Sequence, residues 1–316
     1  MENLNDSKIK TLDDLNLKDI LDFFWDSKKI IIITTLIFSI FSVFYSLSIP
    51  NKFTSSSVLK LSKEVDSSST NLFSQYGNLA NMAGISLPNV SGNMSDFVVA
   101  KILSKDFYNH MNTFQGVTEK ILAVDYYDQA NKKLIFDAKK FNPEKDIWVR
   151  EPPKGRQVDP TYLEVYEAIL KNHLNISKDN KTNFISISFT HESPYFAYDF
   201  LSLLINELNS LSRKNDLKQS KNALAYLKNQ LENTSEVDIR DSINMLIESE
   251  LKVQMYANIN ENYLITPIDP PHFPEIKSEP TRSIICIIGA LIGFIVGLIF
   301  ALLSSIYFKK DKVKLL

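Results

Sequence analysis

Chemistry at a glycosidic bond needs two carboxylates held on either side of it. The acids here whose types could serve are Asp125, Asp128, Glu164 and Glu167. Nothing in their spacing brings a pair together, so they read as solvated surface. A metal centre would draw on histidine, cysteine and carboxylate at short, regular spacing. His110, His173, His191 and His272 lie far apart, and the single cysteine, Cys286, sits inside an apolar run, so no intramolecular disulfide is possible. No G-x-x-x-x-G-K-[ST] nucleotide loop occurs, and the only glycine followed by a basic residue is Gly155, before Arg156. No catalytic residue, metal or cofactor is therefore expected. Tyr and Phe side chains could stack on sugars, but the sequence does not say which are exposed.

A protein without such chemistry acts by position, and the elements that set position are plain. Two apolar runs stand near the ends of the 316-residue chain. Residues 30–49 carry no charge and close at Pro50, and at about 1.5 Å per residue they span roughly 30 Å, the hydrocarbon thickness of a bilayer. Residues 284–308 are also uncharged and long enough to span with tilt. The first run lies too far from Met1, and lacks the small-residue cleavage site, for a signal peptide. Lys28 and Lys29 precede the first run, and Lys309, Lys310, Lys312 and Lys314 follow the second. Positive residues stay inside, so both ends, 1–29 and 309–316, are expected in the cytoplasm. Residues 50–283 then form one extracytoplasmic domain. Its acids and bases nearly balance, as does the whole chain at a net −2, which leaves no field to hold nucleic acid or a polyanion.

The second run has Gly289, Gly293 and Gly297 on one helix face, a doubled G-x-x-x-G that lets two backbones approach closely. Before the first run, residues 12–25 show helical spacing of apolar residues and read as a short amphipathic helix on the membrane face.

Within the outer domain, residues 52–61 read as a strand, 62–71 as a loop, and 72–83 and 95–111 as helices. Strands are expected over 121–127 and 133–137, irregular chain over the proline-bearing 142–160, a helix over 161–170, and a strand over 183–190. Ser193 and Pro194 form a helix start, a capping serine followed by proline at the first helical position. No Pro or Gly interrupts 194–231, roughly 57 Å of helix. Leu201, Leu204, Leu208 and Leu211 step as one heptad seam, and Leu217, Leu224 and Leu231 as another. The polar residues 213–216 between them break the register, so two packing seams are expected, with part of the helix protruding or packing between subunits. A second helical pattern covers 239–257, and a final strand 263–268. Pro267, Pro270, Pro271, Pro274 and Pro280 then give a stiff, extended connector before the second run.

This order of parts resembles the Wzz chain length determinant family of bacterial polysaccharide co-polymerases. The resemblance is carried by 183–197, by Ile268-Asp269-Pro270-Pro271-His272-Phe273-Pro274, by Pro280 with Arg282 before Gly289, and by Ala-Asn-Met-Ala-Gly-Ile-Ser-Leu at 80–87. Region 142–160 matches no motif and reads as an insertion. The resemblance implies an α+β membrane protein, with two transmembrane helices flanking a periplasmic α/β base from which a long helix protrudes. It further implies a non-catalytic protein of the bacterial inner membrane that sets the modal length of O-antigen or a related surface polysaccharide. The implied partners are further copies in a ring, an octamer by family resemblance, a Wzy-type polymerase and its lipid-linked glycan. Two other classes stay open. One is the inner-membrane subunit of a capsule exporter; the other is a receptor, for which the cytoplasmic tails offer little output. The absence of a nucleotide loop and of a tyrosine-rich tail sets aside the subclass fused to a tyrosine kinase, unless a separate chain supplies it.

Overall fold

The computed structural model describes residues 17–62 and 94–313. Residues 12–16 of the amphipathic lead-in, the expected helix at 72–83 and the 80–87 segment lie outside them, while 17–25 are continuous with the first helix. The chain divides into two compact units, Met1–Pro50 with Glu279–Leu316, and Asn51–Ser278.

The first unit pairs two helices, α1 (Leu17–Ser48) and the last helix of the chain (Arg282–Val313). Within them, Ser27–Ser48 and Arg282–Ser304 are long and apolar enough to cross a membrane. Their outward faces carry Phe41, Phe44, Leu36, Ile287, Ile295 and Leu303, all exposed. In water such faces would be costly; in hydrocarbon they are ordinary.

The second unit is built on a four-stranded antiparallel sheet of β1 (Phe53–Leu61), β6 (Leu174–Lys178), β7 (Ile185–His191) and β8 (Ile265–Asp269), in the order β6-β7-β1-β8. Between β1 and β6 lie α2 (Met94–Ile102), α3 (Lys105–Met111), α4 (Val117–Leu122), the hairpin β2 (Val124–Asp128) and β3 (Lys133–Phe136), the small hairpin β4 (Phe141–Asn142) and β5 (Ile147–Trp148), and α5 (Tyr162–Ala168). A π turn, Ile169–His173, links α5 to β6. After β7 come α6 (Pro194–Asn233) and α7 (Val237–Ile259); the paired helix Arg282–Val313 is α8.

Period two governs the sheet. In β7, Ile185, Ile187, Phe189 and His191 are buried, and across the ladder they face Leu59, Ser57, Ser55 and Phe53. The first half of α6 supplies Phe196, Ala197, Phe200, Leu201, Leu204, Ile205 and Leu208 to the same core. Phe189 and Phe200 meet at 4.4 Å between ring centroids. Val98, Ile102, Phe107, Met111, Val165 and Ile169 complete it.

Several elements differ from expectation. The helix read over 95–111 is two, because Ser104 caps a new start and its hydroxyl accepts from Phe107 N at 3.3 Å. Ile121 and Leu122 end a helix rather than open a strand, since Val117 and Ile121 bury one helical face behind a left-handed Gly116 (φ 79°). β6 was not foreseen. Region 142–160 is irregular apart from the two-residue strands β4 and β5. The long helix ends at Asn233, two residues past the expected limit. Phe184, read into the β7 strand, lies before it and is 37% exposed.

Candidate functional site

Two surfaces are built by the residues singled out from the sequence: the helix pair α1–α8 and the long-helix hairpin α6–α7.

In the pair, each glycine of α8 meets α1. A Cβ added at Gly293 would lie 2.6 Å from Phe38 Cβ and 3.0 Å from Thr35 Cα. At Gly289 it would lie 2.6 Å from Ser42 Oγ, and at Gly297 3.1 Å from Ile31 Cα. Ala301, buried one turn further on, extends the same stripe. The facing residues of α1 are small or keep their polar atoms at home: Thr34 Oγ1 donates to Ile30 O at 2.9 Å, Thr35 Oγ1 to Ile31 O at 2.7 Å, and Ser42 Oγ to Ser39 O at 3.0 Å. Close packing of small residues is what holds helices together in a medium as apolar as they are; Ser46 Oγ, also buried on α1, is without a partner among the described residues. The glycine face is thus occupied by α1 of the same chain.

In the hairpin, Ser193 Oγ accepts from Phe196 N at 3.3 Å and Pro194 opens α6. Leu201, Leu204 and Leu208 lie fully buried against the sheet, with Leu211 and Leu217 partly buried at its margin. Past the polar stretch 213–216, Leu224 is buried and Leu231 half-buried. The two helices run antiparallel: Ser220 Oγ donates to Glu250 O at 2.9 Å, and Arg240 Nη1 reaches Leu231 O and Thr234 O, each at 3.0 Å. Asp216 is used at the changeover, accepting from Tyr263 OH at 2.8 Å. Lys101 donates to Ser212 Oγ at 2.8 Å, with its amine pushed below the usual lysine range by burial.

The far side of α7 is open and mixes exposed apolar residues with the Glu248–Lys252 ion pair at 2.7 Å. Leu251, Met255 and Ile259 step by four along one face, 50%, 59% and 70% exposed, with Met245 also exposed. On the lateral face of α6, Lys214, Lys218, Lys221 and Lys228 are all exposed. Exposed apolar residues grouped on one helix face are a candidate contact surface.

The proline segment is anchored along β1. Ser57 Oγ donates to Asp269 O at 2.6 Å and Ser55 Oγ to His272 O at 2.8 Å; Ser278 N donates to Lys52 O at 2.9 Å. Pro274 is buried. Pro267 lies inside β8, within the strand expected over 263–268; β8 is an edge strand, where a proline is tolerated. Pro270 and Pro271 follow β8 in extended chain, and Pro280 belongs to the first unit.

The candidate acids form no facing pair across a cleft; Glu164 and Glu167 come together only across Arg156, at 3.7 and 3.0 Å. Glu164 accepts two bonds from Arg150, at 2.6 and 2.9 Å, and that guanidinium holds its carboxyl below the usual range. Glu167 pairs with Arg156 at 3.0 Å. Asp128 is spent on its own turn, accepting from Ala130 N at 2.9 Å. The histidines are also separately engaged: His110 with Glu207 at 2.7 Å, His173 with Thr190 O at 2.8 Å, and His191 with Lys120 O at 2.8 Å. Among the described residues no three His, Cys, Asp or Glu side chains gather to hold a metal. Sequence reasoning missed Asn209, a buried amide on the sheet-facing side of α6. It donates to Ile265 O at 3.0 Å and accepts from Leu264 N and Ile265 N at 2.8 and 2.9 Å, tying helix to edge strand.

Residues 13–109 match the family model described as "Wzz: Chain length determinant protein". Among curated proteins none matches the chain. A solved structure titled "full-length bacterial polysaccharide co-polymerase" is 14% identical, aligning over 93% of this chain and 99% of that one with a TM-score of 0.40. A second, "Fragment of WzzB, Polysaccharide Co-polymerase from Salmonella Typhimurium", is also 14% identical, over 72% of this chain and 100% of that one with a TM-score of 0.30. The resemblance to the Wzz chain length determinant family, stated above from motifs, is thus shown over residues 13–109.

Proposed function

We propose that this chain is a non-catalytic polysaccharide co-polymerase that sets the modal length of O-antigen or a related surface glycan made by a Wzy-type polymerase. The family-model match over 13–109 carries the reading. In it, α1 and α8 cross the bacterial inner membrane with both ends in the cytoplasm, as the flanking lysines favour. The sheet domain stands in the periplasm. Copies assemble into a ring, an octamer by family resemblance, and the exposed apolar residues of α7 support such an assembly because a second copy would remove them from water. The ring limits how long a lipid-linked chain stays with the polymerase. It works by holding partners, not by making or breaking bonds. Gly289, Gly293 and Gly297 serve in this reading by locking α1 to α8, so that contact with the polymerase falls to the outward faces of the pair. The leucine seams of α6 hold the helix to the sheet and to α7, and the proline segment is tied along β1.

Gene deletion tests it. The glycan ladder on gels loses its modal cluster and becomes a monotonic decay of lengths, and the full chain supplied in trans restores the mode. An unchanged ladder in the deletion strain contradicts the proposal.

A further inference from the structure

Three aromatic rings from three separate segments meet on the surface of the sheet domain. Tyr195, in the first turn of α6, lies 4.9 Å from Phe273 of the proline segment and 6.4 Å from Tyr127 of β2, centroid to centroid. Tyr195 and Phe273 are 43% and 40% exposed, and Tyr127 is half-buried. Rings of this size are normally covered, so their display in a group needs a reason.

Each ring is held from behind. The Ser193 cap fixes the start of α6, and the Ser55 bond to His272 O together with buried Pro274 fixes the backbone on both sides of Phe273. The β2–β3 turn is fixed by Asp128, whose carboxylate accepts from Ala130 N and from Asn131 Nδ2 at 2.7 Å. Those bonds, Asn131 foremost, keep the Asp128 carboxyl below its usual range and hence ionised. Tyr127 is pushed up, first by partial burial and then by Tyr195 and Asp128, so its hydroxyl keeps its proton and can donate. The result is a cluster of three tilted rings, 52° between Tyr127 and Tyr195 and 59° between Tyr195 and Phe273, that carries two phenol hydroxyls.

We propose that Tyr127, Tyr195 and Phe273 form a stacking site for the pyranose rings of an uncharged stretch of glycan. A pyranose offers an apolar C–H face to such rings and hydroxyls at its edge to the phenols. The preformed rings need little ordering on binding. Other occupants fit less well. Fully covered, three aromatic side chains supply about 450–750 Å², short of the ~800 Å² per partner of a stable protein interface. A membrane surface pairs aromatics with an excess of basic residues that meet anionic headgroups, whereas Asp128 stands opposite Lys133 in the β2–β3 ladder, so the hairpin end beside Tyr127 carries both signs.

The inference rests on the proposed role in glycan assembly, yet it is tested separately from it. Short oligomers released from the surface polysaccharide of the strain that carries the gene are titrated against the full chain in detergent, with saturation-transfer NMR as the readout. Binding in the region of millimolar is expected for the wild type, weakened about tenfold or more by Tyr195→Ala and by Phe273→Ala and retained by Phe273→Trp. Thermal melts check that the variants fold. No binding by the wild type, or equal binding by all four proteins, overturns the site whatever the gene deletion shows. A change in assembly mass in the alanine variants without a change in oligomer binding makes it a protein contact and overturns it. So does quenching of the Phe273→Trp fluorescence by brominated phosphatidylglycerol in nanodiscs.

Discussion

His191 stands at the joint where β7 becomes α6, with no exposed surface. Its Nε2 donates to Lys120 O, which leaves Nδ1 as a bare acceptor for Ser193 N at 3.0 Å, the backbone of the capping residue itself. A second proton on the ring has no place to go without breaking that bond. Burial pushes its pKa down to about 4, and the Glu192 carboxylate only partly offsets this. His173, 5.7 Å away ring to ring, is lowered too, again chiefly by burial. The unfolded chain therefore takes up protons that the folded chain refuses. The resulting stability is full above about pH 6.5 and is lost as pH falls toward 4, about 3 kcal/mol for His191 alone. Thermal melts of the full chain in detergent between pH 7 and pH 4 are expected to fall steeply for the wild type and much less steeply for His191→Gln. Parallel curves would show that His191 does not titrate in this way. Little of this was legible in the sequence, which showed only histidines far apart. The same holds for Asn209: an amide in a leucine-rich helix reads as one more polar residue until β8 is seen lying beside it.

Elements whose signals are local and strong were legible. The start of α6 follows from Ser193-Pro194, and the strand β7 from its alternation, with a shift of one or two residues. The contact between α1 and α8 is written in the four-residue glycine step, although only the structure shows that Thr34, Thr35, Phe38 and Ser42 receive it. Elements decided by competition were not legible. Ser104 can sit within a helix or cap one, and the cap wins because Phe107, Tyr108 and Met111 reach the core from a new axis. β6 is five residues long and rests on β7 alone, so its existence depends on pairing that no local pattern encodes. The α1–α8 contact is open to test at this scale. Gly293→Leu forces the Phe38 side chain and the Thr35 backbone away, and is expected to cost about 1–3 kcal/mol of thermal stability in detergent. Leu291→Ala, on the outward face, is expected to cost far less; equal losses would argue against the seam.

For the whole molecule, the sequence supported two spans, one intervening domain and a helix too long for a compact core, and the described residues contain helices and a sheet at those places. How copies meet is a property of surfaces, and surfaces become visible only once α7 is seen to bury Ile243 and Ala257 against α6 and to leave Leu251, Met255 and Ile259 outside. Met255→Glu combined with Ile259→Glu is expected to shrink the detergent-solubilised assembly, read by light scattering, while the unfolding temperature of the chain stays nearly constant because neither side chain is buried within it. An unchanged mass would place the assembly surface elsewhere.

The proposed role is to govern length without performing polymerisation. Its most direct test is to label the glycan in a deletion strain, with and without the full chain supplied in trans, and to measure both total sugar incorporated and the distribution of chain lengths. The account predicts that the chain restores a modal length while total incorporation stays nearly the same. A loss of incorporation without the chain, or a length distribution indifferent to it, would contradict it.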